Sequence, residues 1–344
     1  MQSTGSGGVL ARAGLALLQR LPPETSHAVG LRALQLTRRW WRAPAPSPAL
    51  EVRILGQRFA HPVGLAAGFD KNGDYLDALG ALGFSHVEIG TVTPRPQPGN
   101  PKPRLFRARD SRALINRMGF NNKGADHVAA RLRGASFRGI RGVSIGKNAG
   151  TPLARAADDY VACLRKLHAH ADYFAINVSS PNTQGLRELQ AADVLAGIIE
   201  PLQREARELA SRHGRQVPLL VKISPDLSTM ELSALCRALL HLGIDGVIAT
   251  NSSTEIGVPG LASAHGGGVS GAPLTARSLQ VLTELRRELG AAFPIISVGG
   301  VMSAADARAR MAAGADLVQL YTGFVYRGAP LLAEILQALE WPRK

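Results

Sequence analysis

The sequence predicts an α/β protein, a (β/α)8 TIM barrel with an N-terminal extension of amphipathic helices. Three observations carry that expectation. From residue 60 onward, short apolar runs alternate with longer runs of helical period. Eight such pairs fit in the remaining chain, and their near-continuous apolar strands fit a parallel sheet buried on both faces. The turn after the first strand reads Ala66-Ala67-Gly68-Phe69-Asp70-Lys71-Asn72-Gly73. That is not the G-x-G-x-x-G expected there in a doubly wound open sheet, which is the alternative architecture.

The elements follow in order. Residues 8–20 and 24–41 are predicted helical. Pro22-Pro23 separates them, and the proline-rich stretch Ala43–Pro48 ends the second. Predicted strands are Val63–Ala67, His86–Ile89, Gly142–Ile145, Tyr173–Asn177, Leu219–Ile223, Gly246–Ala249, Ile295–Val298 and Leu317–Leu320. Predicted helices are Tyr75–Leu82, Ala125–Leu132, Ala154–His170, Ala191–His213, Met230–Leu242, Ala276–Leu289, Ala304–Ala312 and Leu331–Leu339. The expected division is a helical arm over 1–45 and a barrel over 46–344.

Composition narrows the function. The 344 residues are 45% hydrophobic with a net charge of +14, so a largely disordered chain is excluded. Cys163 and Cys236 lie far apart, without disulfide or metal-ligand spacing. No run of 18 apolar residues exists, so no transmembrane helix is predicted. Gly14–Leu18 is too short for a signal-peptide core. The basic balance suits anionic small molecules, an anionic membrane surface or nucleic acid. The arm holds Arg12, Arg20, Arg32, Arg38, Arg39 and Arg42 against one acid, Glu24. Its Leu, Trp and Arg fit an interfacial helix pair, and equally an arm docked on the barrel with its arginines in solvent.

In such a barrel the chemistry comes from the C-terminal ends of the strands. These read Gly68–Lys71, Gly90-Thr91, Lys147-Asn148, Asn177–Asn182, Lys222, Thr250-Asn251-Ser252, Gly299-Gly300 and Tyr321-Thr322-Gly323. Glycine, amide, hydroxyl and lysine suit a planar, hydrogen-bonding, anionic ligand. The turns at Gly299-Gly300 and Tyr321–Gly323 lie where barrels hold phosphate on backbone N–H groups. Lys222 could stabilise a developing anion, as a reduced flavin requires. His, Cys, Asp and Glu do not converge, so no metal is expected. Ser180, before Pro181, reads either as a turn former or as a base relayed through Thr183 and water. No His and no G-x-S-x-G elbow accompany it.

Longer motifs carry a resemblance. They are Gly64–Lys71, Glu88–Asn100, Asn116–Asn122, Asn177–Thr183, Thr250-Asn251, Val298–Gly300 and Gln319–Phe324. With these, the chain resembles the class 2, quinone-dependent dihydroorotate dehydrogenases over nearly its whole length. The resemblance implies oxidation of dihydroorotate to orotate in pyrimidine synthesis, with one FMN per chain as hydride acceptor and a membrane quinone as final acceptor. It implies Ser180 as base. Lys71, Asn116, Asn177, Asn182, Asn251 and Ser252 would hold orotate, with its carboxylate near Lys71 and the Arg117-Met118-Gly119-Phe120 segment. FMN would be held by Ala67, Gly68, Phe69, Asp70, Lys71, Thr91, Asn148, Asn177, Lys222, Thr250, Gly271, Gly300, Tyr321 and Thr322. The resemblance makes the arm a quinone tunnel lined by His27 and Arg107, on a bacterial inner membrane's cytoplasmic side, in a monomer.

The sequence departs from that pattern in places. Ala28 stands where an acid often follows the histidine, and Ser297 where glycine is usual. Thr254–Gly268 is less typical and is expected to form a loop over the substrate. The rivals are a flavin barrel with a soluble oxidant, and an RNA-binding flavin barrel. Ser180 and the arm argue against the first, and the lack of an aromatic-interleaved basic stretch against the second, so no nucleic-acid partner is expected.

Overall fold

Eight parallel strands close on themselves in sequence order in the computed structural model, which describes residues 14–41, 43, 45–183, 185–258 and 266–340. They are β1 (Val63–Leu65), β2 (His86–Val92), β3 (Ile140–Ile145), β4 (Tyr173–Asn177), β5 (Leu219–Ile223), β6 (Gly246–Ala249), β7 (Ile295–Val298) and β8 (Leu317–Leu320). Val318 pairs with Val63 where β8 meets β1, so no edge remains. Every residue of β2, β4, β5 and β6 is buried, as the apolar runs require. The barrel is therefore the predicted one. Three boundaries shift: β1 ends at Leu65, β2 runs on to Val92, past a register break between Ile89 and Val92, and β3 begins at Ile140 rather than Gly142.

The outer ring comprises α2 (Leu76–Gly80), α3 (Ala125–Arg133), α4 (Ala156–Leu167), α5 (Ala192–His213), α6 (Thr229–His241), α7 (Thr275–Leu289), α8 (Ala304–Ala312), α9 (Thr322–Arg327) and α10 (Ala329–Glu340). Local signals set their starts. Ser228 and Glu231 form a reciprocal capping box on α6, and Ser303 accepts from Asp306 N on α8. The short α9, directly after β8, was not expected from sequence.

Two small sheets were also not expected. A hairpin joins Val52–Ile54 to Gln57–Phe59 through Leu55-Gly56, both with positive φ. Its Phe59 is fully buried in the cluster of Tyr173, Leu220, Ile248 and Leu317 inside the barrel. The second sheet pairs Leu105–Ala108, Ala113–Asn116 and Gly268–Gly271 antiparallel. It carries Asn116 and Gly271.

The arm's second helix is α1 (Pro23–Thr37). Of its first helix, residues 14–18 are helical, and residues 8–13 of that expectation lie outside the described residues. Ser26 and Leu31 of α1 are buried against the barrel, whereas Leu36 and Trp40 are 78% and 69% exposed. Glu24 pairs with the buried Arg104 at 2.8 Å. Arg107 donates to Gln19 O at 2.7 Å, and Gln19 Nε2 donates to Tyr326 O at 3.0 Å.

Candidate active site

A cavity of about 1010 Å³ opens at the C-terminal ends of the strands. It brings together nineteen residues expected from the sequence. From the arm side come Ala67, Gly68, Lys71, Thr91, Asn116, Met118, Gly119 and Phe120. Asn177, Ser180, Asn182, Lys222, Thr250, Asn251 and Ser252 follow, and Gly271, Gly300, Tyr321 and Thr322 complete the set.

One end is built of amides. Asn182 Nδ2 donates to Asn116 Oδ1 at 3.0 Å, and Asn116 Nδ2 donates to Gly268 O at 3.2 Å. Asn177 Nδ2 donates to Thr91 Oγ1 at 2.8 Å, and Asn177 Oδ1 accepts from Asn251 Nδ2 at 3.3 Å. The four amides come from β4, the loops after β4 and β6, and the small sheet, so the fold rather than sequence proximity gathers them. Ser180 is buried, and its Oγ accepts from Asn182 N at 3.3 Å. Among the described residues no carboxylate or imidazole bonds that hydroxyl.

Lys71 stands beside this end, with Nζ donating to Gly68 O at 2.7 Å. Burial pulls its pKa down to about 8, with Glu24 opposing the shift and Arg104 adding to it. Below that pH it presents a cation to the cavity. Phe120, at φ 53°, and Gly119, at φ 69°, turn their segment into the cavity. A side chain at Gly119 would meet Asn100.

The opposite end is built of turns. Gly299 and Gly300 both have positive φ, and a Cβ on Gly300 would lie 2.4 Å from Thr275 Cα. Thr275 Oγ1 donates to Gly300 O, and Ser278 Oγ donates to Gly299 O. Thr322 Oγ1 and Ser270 Oγ are 2.9 Å apart. Burial pushes the Tyr321 hydroxyl up to about 12, so it stays protonated at neutral pH.

The floor holds Lys222, expected from the sequence, together with an acid, Glu88, that sequence reasoning did not assign a role. Lys222 Nζ donates to Glu88 Oε1 at 3.0 Å. Glu88 Oε2 accepts from Tyr173 OH at 3.1 Å and from Gln319 Nε2 at 2.9 Å. An acid at an inward position of an apolar strand was the available signal for Glu88.

Some expected residues stand elsewhere. Asp70 turns its carboxylate onto the backbone N–H groups of Asn72, Asp74 and Tyr75, shaping the loop after β1. Phe69 packs edge-on against His27, Tyr321 and Phe324. Asn148 binds Thr93 Oγ1, Arg95 O and Gln97 Oε1, bracing the loops after β2 and β3. Arg117 donates to Pro103 O and lies over the Phe106 ring. None of these four lines the cavity. His27 bonds Phe69 O through Nε2 at 2.8 Å, and burial pulls its pKa down to about 3, so the ring is neutral. Arg107 spends its guanidinium on the carbonyls of Gln19 and Leu21. Ser297 Oγ is buried without a partner. Residues 259–265 of the expected loop lie outside the described residues. Ser253 and Thr254 before them are held by Asp226, and Arg187 bridges Thr254 Oγ1 and Asp226.

The chain that forms this barrel has known relatives. Residues 49–341 match the family described as dihydroorotate dehydrogenase. The chain belongs to the dihydroorotate dehydrogenase family. A relative from Pseudomonas paraeruginosa, named dihydroorotate dehydrogenase (quinone), is 52% identical over 330 residues, covering 94% of this chain and 96% of the relative. One of the same name from Azotobacter vinelandii is 51% identical, covering 94% of each. Among solved structures, the dihydroorotate dehydrogenase of Eimeria tenella in complex with ferulenol superposes with a TM-score of 0.84 at 36% identity. That match covers 92% of this chain and 90% of the other.

Proposed function

We propose that this dihydroorotate dehydrogenase family member oxidises dihydroorotate to orotate, with FMN as hydride acceptor and a membrane quinone as final acceptor, in pyrimidine biosynthesis. The observation that carries the reading is the convergence of Asn116, Asn177, Asn182 and Asn251 on one cavity with Ser180 and Lys71. An imide edge offers alternating donors and acceptors, and amides answer both. Lys71 would pair with the substrate carboxylate.

The donor set also fits FMN. One end offers backbone turns for a phosphate, the middle offers apolar walls at Ala66, Leu274 and Val298, and the far end offers Lys222 and Asn177 for a polar ring edge. Bound FMN supplies the hydride acceptor. Ser180 would take the proton from C5 of the substrate and pass it to water, since among the described residues no side-chain acid or imidazole bonds its hydroxyl. Lys222, which lines the cavity, would lend positive charge to a polar edge of the bound ring system. The amides hold the pyrimidine so that one of its faces meets the ring, which removes much of the orientational cost.

We place the arm at an anionic membrane surface, on the cytoplasmic side of a bacterial inner membrane. Its exposed Leu17, Leu36 and Trp40 stand with Arg39, whose guanidinium lies 5.2 Å from the Trp40 ring centre. Among the described residues no helix is long and apolar enough to cross a membrane. Quinone would approach between α1 and the barrel, past His27. The test is anaerobic mixing of the purified yellow protein with L-dihydroorotate, followed at about 450 nm. Bleaching, reversed by added quinone, is expected. A flavin that stays oxidised overturns the substrate, and a protein that binds no FMN overturns the cofactor.

A further inference from the structure

Arg310, on α8, is the largest of the side chains with essentially no solvent exposure. Its Nη2 donates at 2.8 Å to three oxygens: Thr275 O, Ser278 Oγ and Gly299 O. Its Nη1 is buried without a partner. Among the described residues no carboxylate lies within ion-pair distance of it. The nearest acid on its helix, Asp306, is committed to Met302 N and Ser303 Oγ at the helix start. Burial pulls the guanidinium down to about 10, so it is charged at neutral pH.

A buried cation without an anion is costly, and a chain keeps one where an anion arrives. The place of Arg310 says which. It donates to the carbonyl of Gly299, in the same turn whose Gly300 carbonyl is held by Thr275, and does not itself line the cavity. Fixing those carbonyls holds the peptide planes of a turn that lines the cavity. The guanidinium thus sets the turn's backbone and adds a full charge behind it.

We propose that Arg310 is a positioning residue and countercharge for the phosphate of the flavin, so that the site selects FMN over riboflavin. The inference rests on the FMN reading above. Removing the charge lowers affinity only for the ligand that carries the phosphate, because riboflavin shares every other group.

The test uses the full chain, stripped of flavin and titrated with FMN and with riboflavin by fluorescence. The proteins are the wild type, Arg310→Lys, Arg310→Gln and Arg310→Met. Wild type is expected to prefer FMN. Arg310→Gln and Arg310→Met should weaken FMN at least about tenfold, a charge-assisted contact's worth, and leave riboflavin within about twofold. Arg310→Lys should keep most of the preference, and because the charge is buried, added salt should change the gap between wild type and Arg310→Gln little. If Arg310→Met does not fold, the Lys and Gln pair decides. Equal losses for FMN and riboflavin would make Arg310 a scaffold residue only and overturn the inference, as would an unchanged preference in Arg310→Gln. A wild type that binds neither flavin overturns the cofactor reading instead.

Discussion

Lys222 and Glu88 form an ion pair inside the barrel, 3.0 Å apart, with side-chain exposures of 6% and 0%. The pair joins β5 to β2 across the floor of the cavity, and Tyr173 and Gln319 fill the remaining bonding capacity of Glu88. Breaking one partner of such a pair leaves a buried charge uncompensated, at about 3–5 kcal/mol. Glu88→Ala and Lys222→Met should therefore each lower unfolding stability strongly in urea. The double variant Glu88→Met with Lys222→Met should be more stable than either single variant, yet inactive. A double variant no more stable than the singles would mean that the charges do not compensate each other.

Ser180 carries the proposed proton abstraction, and among the described residues no acid or imidazole bonds its hydroxyl. Ser180→Ala should retain FMN and the yellow colour, and should slow flavin reduction by dihydroorotate at least about 100-fold. Stopped-flow absorbance measures it directly. Near-normal reduction in that variant would remove Ser180 from the chemistry.

How much of this was legible follows from particular residues. The barrel strands were readable because both of their faces are buried, which leaves apolar runs such as Leu219–Val221 and Val247–Ala249. The hairpin at Val52–Phe59 was not, since Arg53, Gln57 and Arg58 interrupt the apolar pattern of two three-residue strands. The sheet bearing Asn116 was not, because its third strand is Gly268–Gly271, a glycine-rich segment far along the chain. Strand-end position located the cavity residues. It did not say which way a side chain turns: Asp70 and Phe69 share a turn with Gly68 and Lys71 but face the loop and the arm. Arg310 escaped because a helical arginine reads as solvated until the fold buries it.

Lys71 sets a pH dependence. Its pKa is pulled down to about 8 in the fold, against an ordinary value of 10.5, because burial disfavours the cation. Below about 8 it is charged and, on the proposed reading, would pair with the substrate carboxylate. Above that it is neutral, so the KM for dihydroorotate should rise from pH 8 upward. For stability the sign is opposite. Between about 8 and 10.5 the unfolded chain holds the proton more tightly, so this group's penalty on folding is relieved as pH rises. Lys71→Met should raise KM at pH 7 and flatten its pH profile over 7–9. A wild-type KM that stays level through pH 9 would dismiss the pairing.

Glu24 with Arg104 and His27 with Phe69 O are two of the contacts that tie the arm to the barrel beside the cavity. Neither contact involves a residue of the amide cluster. Deleting residues 1–43 should therefore spare flavin reduction by dihydroorotate, while quinone turnover and binding to anionic liposomes fall sharply. Leu36→Ser with Trp40→Ser, both at exposed positions, should reproduce the liposome defect without disturbing the fold. His27 donates through Nε2 to Phe69 O, which leaves Nδ1 as an acceptor facing away from that bond. His27→Ala should then impair quinone turnover more than reduction by dihydroorotate. If truncation leaves quinone turnover unchanged, quinone does not reach the flavin beneath α1.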